Sequence, residues 1–440
     1  MYAKLLTAFA LLLATACQAA LAAPAIQSWQ TDNGARVLFV ESHNLPIVDV
    51  RVVFDAGAAR DGEQAGLARL TSSLLMQGTE NRDAQAIARA FESVGARHDS
   101  GSRRDMAFVS LRSLSAEAQL RPAVDMLAEV LNAPVFPESA LERQRRRMLL
   151  AVQARRQDPG SVAQRAFYET VYGDHPYAGA PGGEPETLEA LDREAVRAFY
   201  ERHYVGANAT VAVMGDLDEP QARELVDQLV GELPRGEAAP ALPPVPELEQ
   251  AKTVRIPFPS EQAHILVGQP GMARNDEDYF PLYLANHVLG GSGFSSRLMQ
   301  EIREDRGLAY SVYSYFLPMA QRGPFLMGMQ TKLDQTDRAV GLLRKNLEAF
   351  VANGPTEAEM QHARQNLTGG FPRRIDSNRE ITQYLAMIGF YDLPLDYLDR
   401  FVERVRSVDR EAAHEAFRER IDPDHLVTVI VGGEQADDGS

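Results

Sequence analysis

The sequence has almost no cysteine, no excess of basic side chains and no long apolar run beyond its first residues. Its single cysteine is Cys17, so the remainder of the chain has no disulfides and no thiolate for zinc binding or nucleophilic catalysis. Acidic side chains outnumber basic ones by 61 to 45, which gives a formal net charge of −16. Such a chain repels phosphate backbones and anionic lipid, and this argues against binding to nucleic acid or to a membrane surface.

The one strongly apolar run, Leu5–Ala16, follows Lys4 and is too short to span a bilayer. Together with the small residues Ala20-Leu21-Ala22, this pattern predicts a secretory signal peptide over residues 1–22. Lipid attachment at Cys17 is an alternative route of processing, although the residues before it match a lipobox only loosely. We expect an exported, periplasmic protein without a membrane span.

The remaining sequence divides into two similar halves. A segment over 234–250, with four prolines between positions 237 and 246, predicts an extended linker. It separates an N-terminal domain over 25–233 from a C-terminal domain over 251–434. The chain is 45% hydrophobic and 24% charged, as globular proteins are, and its length favours more than one domain.

Both halves present the same order of predicted elements. Each opens with a strand, Val48–Phe54 or Ala263–Gly268, and closes on a β-branched strand that runs into glycine, Ala209–Gly215 or Val427–Gly432. Charged helical stretches lie between these strands. The order predicts an α+β fold in which helices pack on one face of a mainly antiparallel sheet in each domain. A duplication explains it most simply, and two unrelated α+β domains are the alternative.

Two stretches carry a resemblance to a known family. Residues 66–79, GLARLTSSLLMQGT, resemble the zinc-helix segment of the pitrilysin/insulinase family of metallopeptidases, which includes the mitochondrial processing peptidase. Residues 289–312, LGGSGFSSRLMQEIREDRGLAYSV, resemble the most recognisable C-terminal stretch of the same family. The resemblance covers nearly the whole of the chain after the predicted signal peptide.

Active members of this family bind zinc through His-x-x-Glu-His on one helix and through a glutamate well downstream. The resemblance places Arg69, Ser72 and Ser73 at the three positions of that motif. A guanidinium repels a cation, and a serine hydroxyl is a poor zinc ligand and no general base by itself. The segment Arg143–Gln157, where the downstream glutamate is expected, contains no Asp or Glu. We therefore expect no metal and no cofactor in this chain.

Other hydrolytic sites are disfavoured as well. No two of the nine histidines stand four positions apart, so no second helical zinc motif is available. Ser72 and Ser73 could be proposed as nucleophiles, but no histidine lies near them in the sequence to act as the base. The chain is not expected to be a hydrolase by itself.

In active family members, the C-terminal half supplies an arginine and, seven positions later, a tyrosine that contact the substrate near the zinc. Arg303 and Tyr310 match this spacing and are the expected catalytic contacts. The structural alternative is an arginine in a charged helix and a tyrosine that opens a strand over 309–316.

The glycine-rich loop before this pair is the expected substrate-binding segment. The resemblance implies that it lies near the path of an extended peptide, which glycines allow to approach the backbone closely. A plain turn between helices is the alternative reading. The loop consists of Gly290, Gly291, Ser292 and Gly293.

Some two-chain members of the family divide the work between a zinc-bearing subunit and a subunit with the arginine–tyrosine pair. The sequence therefore predicts the non-zinc-binding subunit of a periplasmic, heterodimeric zinc endopeptidase that acts on peptides. Its expected partner is a homologous chain that carries His-x-x-Glu-His and the zinc, and activity is expected only in the complex. The alternative is a catalytically inactive pseudopeptidase that binds peptides or scaffolds a complex.

Overall fold

A computed structural model describes residues 25–433. The predicted signal peptide and Cys17 lie outside the described residues. The strands of the first half are β1 (Gln27–Gln30), β2 (Arg36–Glu41), β3 (Ile47–Phe54), β4 (Arg97–Ser102), β5 (Ala107–Leu114) and β6 (Ala209–Gly215). Those of the second half are β7 (Lys252–Ile256), β8 (Gln262–Pro270), β9 (Val312–Phe316), β10 (Pro324–Lys332) and β11 (Val427–Val431).

The helices lie between the first and last strands of each half, as the sequence predicts, except the last helix of the first half, which follows β6. In the first half they are α1 (Leu67–Leu74), α2 (Ala84–Ser93), α3 (Glu117–Asn132), α4 (Glu138–Arg156), α5 (Pro159–Tyr172), α6 (Pro185–Ala190), α7 (Arg193–His203) and α8 (Glu219–Val230). In the second half they are α9 (Tyr279–Asn286), α10 (Thr336–Asn353), α11 (Glu357–Gly370), α12 (Asn378–Phe390), α13 (Tyr397–Ser407) and α14 (Arg410–Arg420). Among the described residues, no helix has both the length and the apolar character to cross a bilayer.

The two sheets have the same topology. The first has the order β1-β2-β6-β3-β5-β4 and the second the order β7-β11-β8-β10-β9. In the first sheet only β2 and β6 are parallel, and in the second only β7 and β11. The five strands of the second sheet thus match β2, β6, β3, β5 and β4 one for one. The α+β fold with two duplicated, mainly antiparallel domains is confirmed.

Each sheet is covered by helices of its own half on one face and by one helix from the other half on the opposite face. Helix α12 packs on the first sheet, where Leu385 shares a core with Leu38 and Val40 of β2. Helix α5 packs on the second sheet, where Phe167 shares a core with Val429 of β11. We call this reciprocal packing of α5 and α12 the exchange between the halves. It explains why β6 and β11 are buried along their whole length, since both of their faces are covered.

The proline-rich segment 234–250 contains no helix or strand, and it packs against the rest of the protein. Leu242 and Val245 are buried in the core around α5. Its carbonyl groups are also bound, because the His175 imidazole lies 2.9 Å from the Pro243 oxygen. The segment that connects the two halves is therefore held in place by packing and hydrogen bonds.

A buried carboxylate ties the two halves together. Asp105, in the turn between β4 and β5, accepts hydrogen bonds from Tyr177 Oη at 2.7 Å and from Tyr391 Oη at 2.9 Å. It also accepts the backbone N–H of Ala320, between β9 and β10, at 2.8 Å. Burial raises the pKa of Asp105, and these hydrogen bonds oppose that shift.

The exchanged helix α12 approaches the first sheet so closely that it requires a glycine. A Cβ atom on Gly389 would lie 2.4 Å from Thr210 Cγ2 and 2.6 Å from Leu38 Cδ1. We expect Gly389→Ala to lower the free energy of unfolding by about 1–3 kcal/mol, because it overpacks a closed interface.

Gly341, on the exposed side of α10, is a matched control because a Cβ there meets no atom within 4 Å. Gly341→Ala should raise the free energy of unfolding by about 0.5–1 kcal/mol through helix propensity. Denaturant titration of both variants measures the difference. Equal effects of the two substitutions would contradict the close approach of α12.

Candidate functional site

The segment that resembles a zinc helix is α1, and its start is fixed by Asp61. The Asp61 carboxylate accepts the backbone N–H of Gly66 at 2.8 Å and of Ala68 at 2.7 Å, which satisfies donors at the helix start. Gly66 has a φ of +95°, and a Cβ there would lie 2.8 Å from Gly183 Cα. The first turn of α1 therefore sits directly against the loop before α6.

The three degenerate motif positions face different surroundings. Arg69 is exposed, whereas Ser72 is only 1% exposed and lies beside the hydroxyl of Tyr204. Ser73 is half-buried and donates its hydroxyl hydrogen to the Leu70 carbonyl at 2.8 Å. Neither serine hydroxyl is presented to a ligand, so only the Arg69 guanidinium projects from this part of the helix.

Helix α4, in which the downstream zinc ligand was expected, brings further positive charge beside α1. Burial lowers the pKa of Arg155, and the neighbouring Arg69 lowers it further. No carboxylate of Arg143–Gln157 is available to compensate, because that segment has none. Two guanidinium groups thus occupy the region where the resemblance places zinc ligands. Among residues 25–433, no three His, Cys, Asp or Glu side chains are grouped closely enough to hold a metal ion.

Arg69 and Arg155 line one wall of a cleft between the two halves, with a volume of about 1030 Å³. The turn between β4 and β5 contributes Arg103 and Arg104 to the same cleft. The C-terminal half forms the opposite wall with residues of α12, the turn before it and the segment between β9 and β10. The cleft therefore lies over the Asp105 junction and is bounded by both domains.

The structure brings Arg303 and Tyr310 together. The Arg303 guanidinium carbon lies 5.3 Å from the centre of the Tyr310 ring and 4.9 Å from that of Phe294. Tyr310 is 84% exposed and Phe294 is 72% exposed. These three side chains form an exposed cation–aromatic cluster, which we call the Arg303 cluster.

The predicted strand over 309–316 is wrong at its start, because β9 begins at Val312. Before the strand, the Leu308 carbonyl accepts the Thr331 hydroxyl hydrogen of β10 at 2.6 Å. Tyr310 consequently lies in the loop before β9. None of Arg303, Tyr310 and Phe294 lines the cleft that Arg69 faces.

The glycine-rich loop is shaped partly by packing. A Cβ atom on Gly290 would lie 2.4 Å from Ser314 Oγ of β9, so this position must be glycine for the loop to pass over the strand. Gly291 and Gly293 are exposed, and Ser292 is half-buried. π-helical turns over His287–Gly291 and Met299–Glu304 flank the exposed part. Such turns are rare in proteins as a whole, and those that occur are often found at functional sites.

Sequence reasoning missed the arginines around the cleft and the role of Asp105. The partners of Asp105 are separated from it by 72, 215 and 286 positions, so no local pattern reveals them. The only available signal was Arg69 itself, a cation at a position that the resemblance aligns with a metal ligand.

Comparison with known proteins gives a consistent result along the chain. Residues 36–181 match the family model described as insulinase (peptidase family M16), and residues 190–367 match that of the peptidase M16 inactive domain. An uncharacterized zinc protease of Streptomyces coelicolor is 31% identical over 313 residues, which cover 69% of this chain and 67% of that protein. A non-peptidase homolog, YmxG of Helicobacter pylori, is 27% identical over 409 residues, covering 91% of this chain and 92% of that protein.

The fold is shared with a solved structure. The crystal structure of a peptidase M16 inactive domain from Pseudomonas fluorescens matches with a TM-score of 0.90 and 37% sequence identity. The match covers 93% of this chain and 99% of that chain.

Restoring the three motif residues should not restore a zinc site. We expect the variant Arg69→His/Ser72→Glu/Ser73→His to bind no stoichiometric zinc. Position 72 is buried, the stretch of α4 from Arg143 onward has no carboxylate and Arg155 remains beside the site. Elemental analysis after dialysis measures this, with the wild-type chain as reference. About one tightly held zinc per chain in the variant would show that the three substitutions suffice and would contradict our view of α4.

Proposed function

The chain belongs to the M16 (insulinase) family of peptidases, and we propose that it is the non-zinc-binding subunit of a heterodimeric zinc endopeptidase. Its expected partner is a homologous chain with His-x-x-Glu-His, which holds the zinc. The observation that carries the proposal is the separation of two features within one chain. The Arg303 cluster is exposed on its own surface, away from the cleft that Arg69 lines. A pair placed in this way is available to a zinc site on another chain.

The chemistry of Arg303 and Tyr310 suits a partner's zinc site. Attack on a peptide carbonyl places negative charge on its oxygen, and a phenolic O–H and a guanidinium stabilise that charge by donating hydrogen bonds. The partner's zinc would supply the activated water. This chain would position the carbonyl and would exclude water when the two subunits meet.

The surroundings of the pair support a role at a subunit junction. Phe294 and Tyr310 expose large aromatic surface, and such residues are enriched in protein interfaces. The flanking glycines Gly291 and Gly293 leave room for an extended peptide beside them. The substrate would therefore run past the glycine-rich loop towards the partner.

The cellular setting remains a proposal of the same kind. A signal peptide over residues 1–22 would direct the protein to the periplasm, with lipid attachment at Cys17 as the alternative. Both assignments concern residues outside the described part of the chain.

A second candidate function is supported by the cleft. An inactive pseudopeptidase that binds or presents peptides needs a large groove and no catalytic pair, and the cleft of about 1030 Å³ would serve as that groove. Under this alternative, Arg303 and Tyr310 have no role in catalysis by an associated protease.

Substitution of Tyr310 separates the two functions. In the assembled complex, Tyr310→Phe should lower kcat by roughly 10²–10³-fold, because it removes one O–H donor and leaves packing almost unchanged. Arg303→Ala should reduce both kcat and substrate affinity, since a cation at a carbonyl also acts in the ground state. Peptide cleavage at equal zinc occupancy measures both effects.

Two neighbouring residues are matched controls for these substitutions. Tyr313 is 40% exposed, and Arg306 is already paired with Glu301 at 2.7 Å. Tyr313→Phe and Arg306→Ala should leave kcat within about twofold, since neither side chain belongs to the Arg303 cluster. Turnover by the Tyr310→Phe complex equal to that of the wild type would favour the scaffolding function.

A further inference from the structure

The cleft between the halves contains far more positive charge than its carboxylates compensate. Ten arginines and four carboxylates line it, in a protein whose formal net charge is −16. Two of the arginines, Arg156 and Arg165, form salt bridges with Glu184, and Arg165 also pairs with Glu169. The other eight have no carboxylate within 4.0 Å among residues 25–433.

The remaining two carboxylates of the cleft are otherwise engaged. Asp105 is bound by two tyrosine hydroxyls and a backbone N–H. Glu380 accepts the Ser377 hydroxyl at 3.0 Å. The protein therefore leaves a concentrated group of cations without anions of its own.

These cations lie on both walls of the cleft. Arg69 and Arg155 belong to the N-terminal wall, and Arg274 and Arg373 belong to the C-terminal wall. A ligand with negative charges along its length would contact both walls at once. Guanidinium groups suit this, because their planar donors pair with carboxylates in a bidentate manner.

Some of these guanidinium groups are buried, which costs free energy for the charged form. A bound anionic ligand would offset that cost. Burial lowers the pKa of Arg51 to about 10 and also lowers the pKa of Arg104. Arg104 is fixed in place by hydrogen bonds to the carbonyls of Tyr177 and Gly179, and its guanidinium stacks 3.7 Å from the Tyr168 ring centre. It is a preorganised cation in the cleft floor.

Apolar side chains between the arginines favour a peptide over a nucleic acid. Met106, Val152, Leu317 and Met387 line the same space. They offer contacts for apolar side chains of a peptide, whereas a phosphate backbone has none to offer. The overall charge of −16 also repels a long polyanion from the protein but allows a short acidic segment to enter a positive cleft.

We propose that this cleft binds an acidic peptide segment, with Asp or Glu side chains of the ligand paired to arginines on both walls and apolar side chains between them. The proposal names the chemical class of ligand for the cleft, which the second candidate function uses as its groove. The further claim that this peptide is also cleaved rests on the proposed peptidase function. Arg69, at the position of a lost metal ligand, becomes a carboxylate-binding residue.

Binding of labelled peptides to the isolated full chain tests the proposal by fluorescence anisotropy. The probe is a short peptide in which glutamate alternates with leucine and alanine, and matched peptides carry glutamine or lysine at the glutamate positions. We expect the acidic peptide to bind at least about tenfold more tightly than the glutamine peptide, and its affinity to fall in high salt. Equal affinity for the acidic and glutamine peptides would overturn the proposal.

Charge removal within the cleft locates the binding. Arg69, Arg103 and Arg373 have no side-chain hydrogen bond or salt bridge to a described residue, so their replacement should not disturb the fold. Arg69→Gln/Arg103→Gln/Arg373→Gln should weaken binding of the acidic peptide at least about tenfold. Arg69→Gln alone should weaken it in the same direction, which provides a test should the triple variant fail to fold.

The matched control removes the same charge from helix surfaces outside the cleft. Arg121→Gln/Arg197→Gln/Arg400→Gln changes three exposed arginines that pair with carboxylates on their own helices. It should leave the affinity within about twofold. Equal losses in the two triple variants would overturn the proposal, since they would reflect net charge alone.

A single-stranded oligonucleotide of equal charge is the competitor. Displacement of the acidic peptide by the oligonucleotide at lower concentration than by unlabelled peptide would overturn the assignment to a peptide. All of these measurements need no partner subunit. Loss of peptide binding and loss of partner-dependent cleavage are therefore separate outcomes, and either proposal can fail alone.

Discussion

The exchange of α5 and α12 between the halves is the constraint on which the rest of the structure depends. Each helix covers the face of the other domain's sheet that the helices of that domain leave open. Neither sheet is therefore buried on both faces without the opposite half. Asp105 adds a buried polar junction at the same boundary. Both helices line the cleft, and no residue of the Arg303 cluster does. Under the proposed function, a second chain would place a zinc site beside that cluster.

Positive charge dominates the place where the resemblance positions a zinc motif. A site built for a metal ion gathers neutral imidazoles and carboxylates, whereas here Arg69 and Arg155 lie side by side. The same cations that exclude a metal attract carboxylates. The two proposals are therefore linked physically, because both rest on the positive charge of Arg69 and Arg155.

The sequence predicted the regular elements well and the contacts between the halves poorly. The charged helical stretches expected between the strands include α4, and the closing strands predicted over Ala209–Gly215 and Val427–Gly432 are β6 and β11. Their nearly continuous apolar character was consistent with burial on both faces, but periodicity cannot say which helix supplies the second cover. The pairing of Arg303 with Tyr310 followed from the resemblance. The start of β9 at Val312 did not follow from the local pattern, which extended the strand back to position 309.

The most direct test of the account is to co-express the tagged chain with a homologous chain that carries His-x-x-Glu-His, and to measure zinc content and peptide cleavage of the purified material. The account predicts a complex with about one zinc per pair of chains that cleaves peptides, whereas the tagged chain alone holds no stoichiometric zinc and does not cleave them. Stoichiometric zinc and peptidase activity in the tagged chain alone would contradict it.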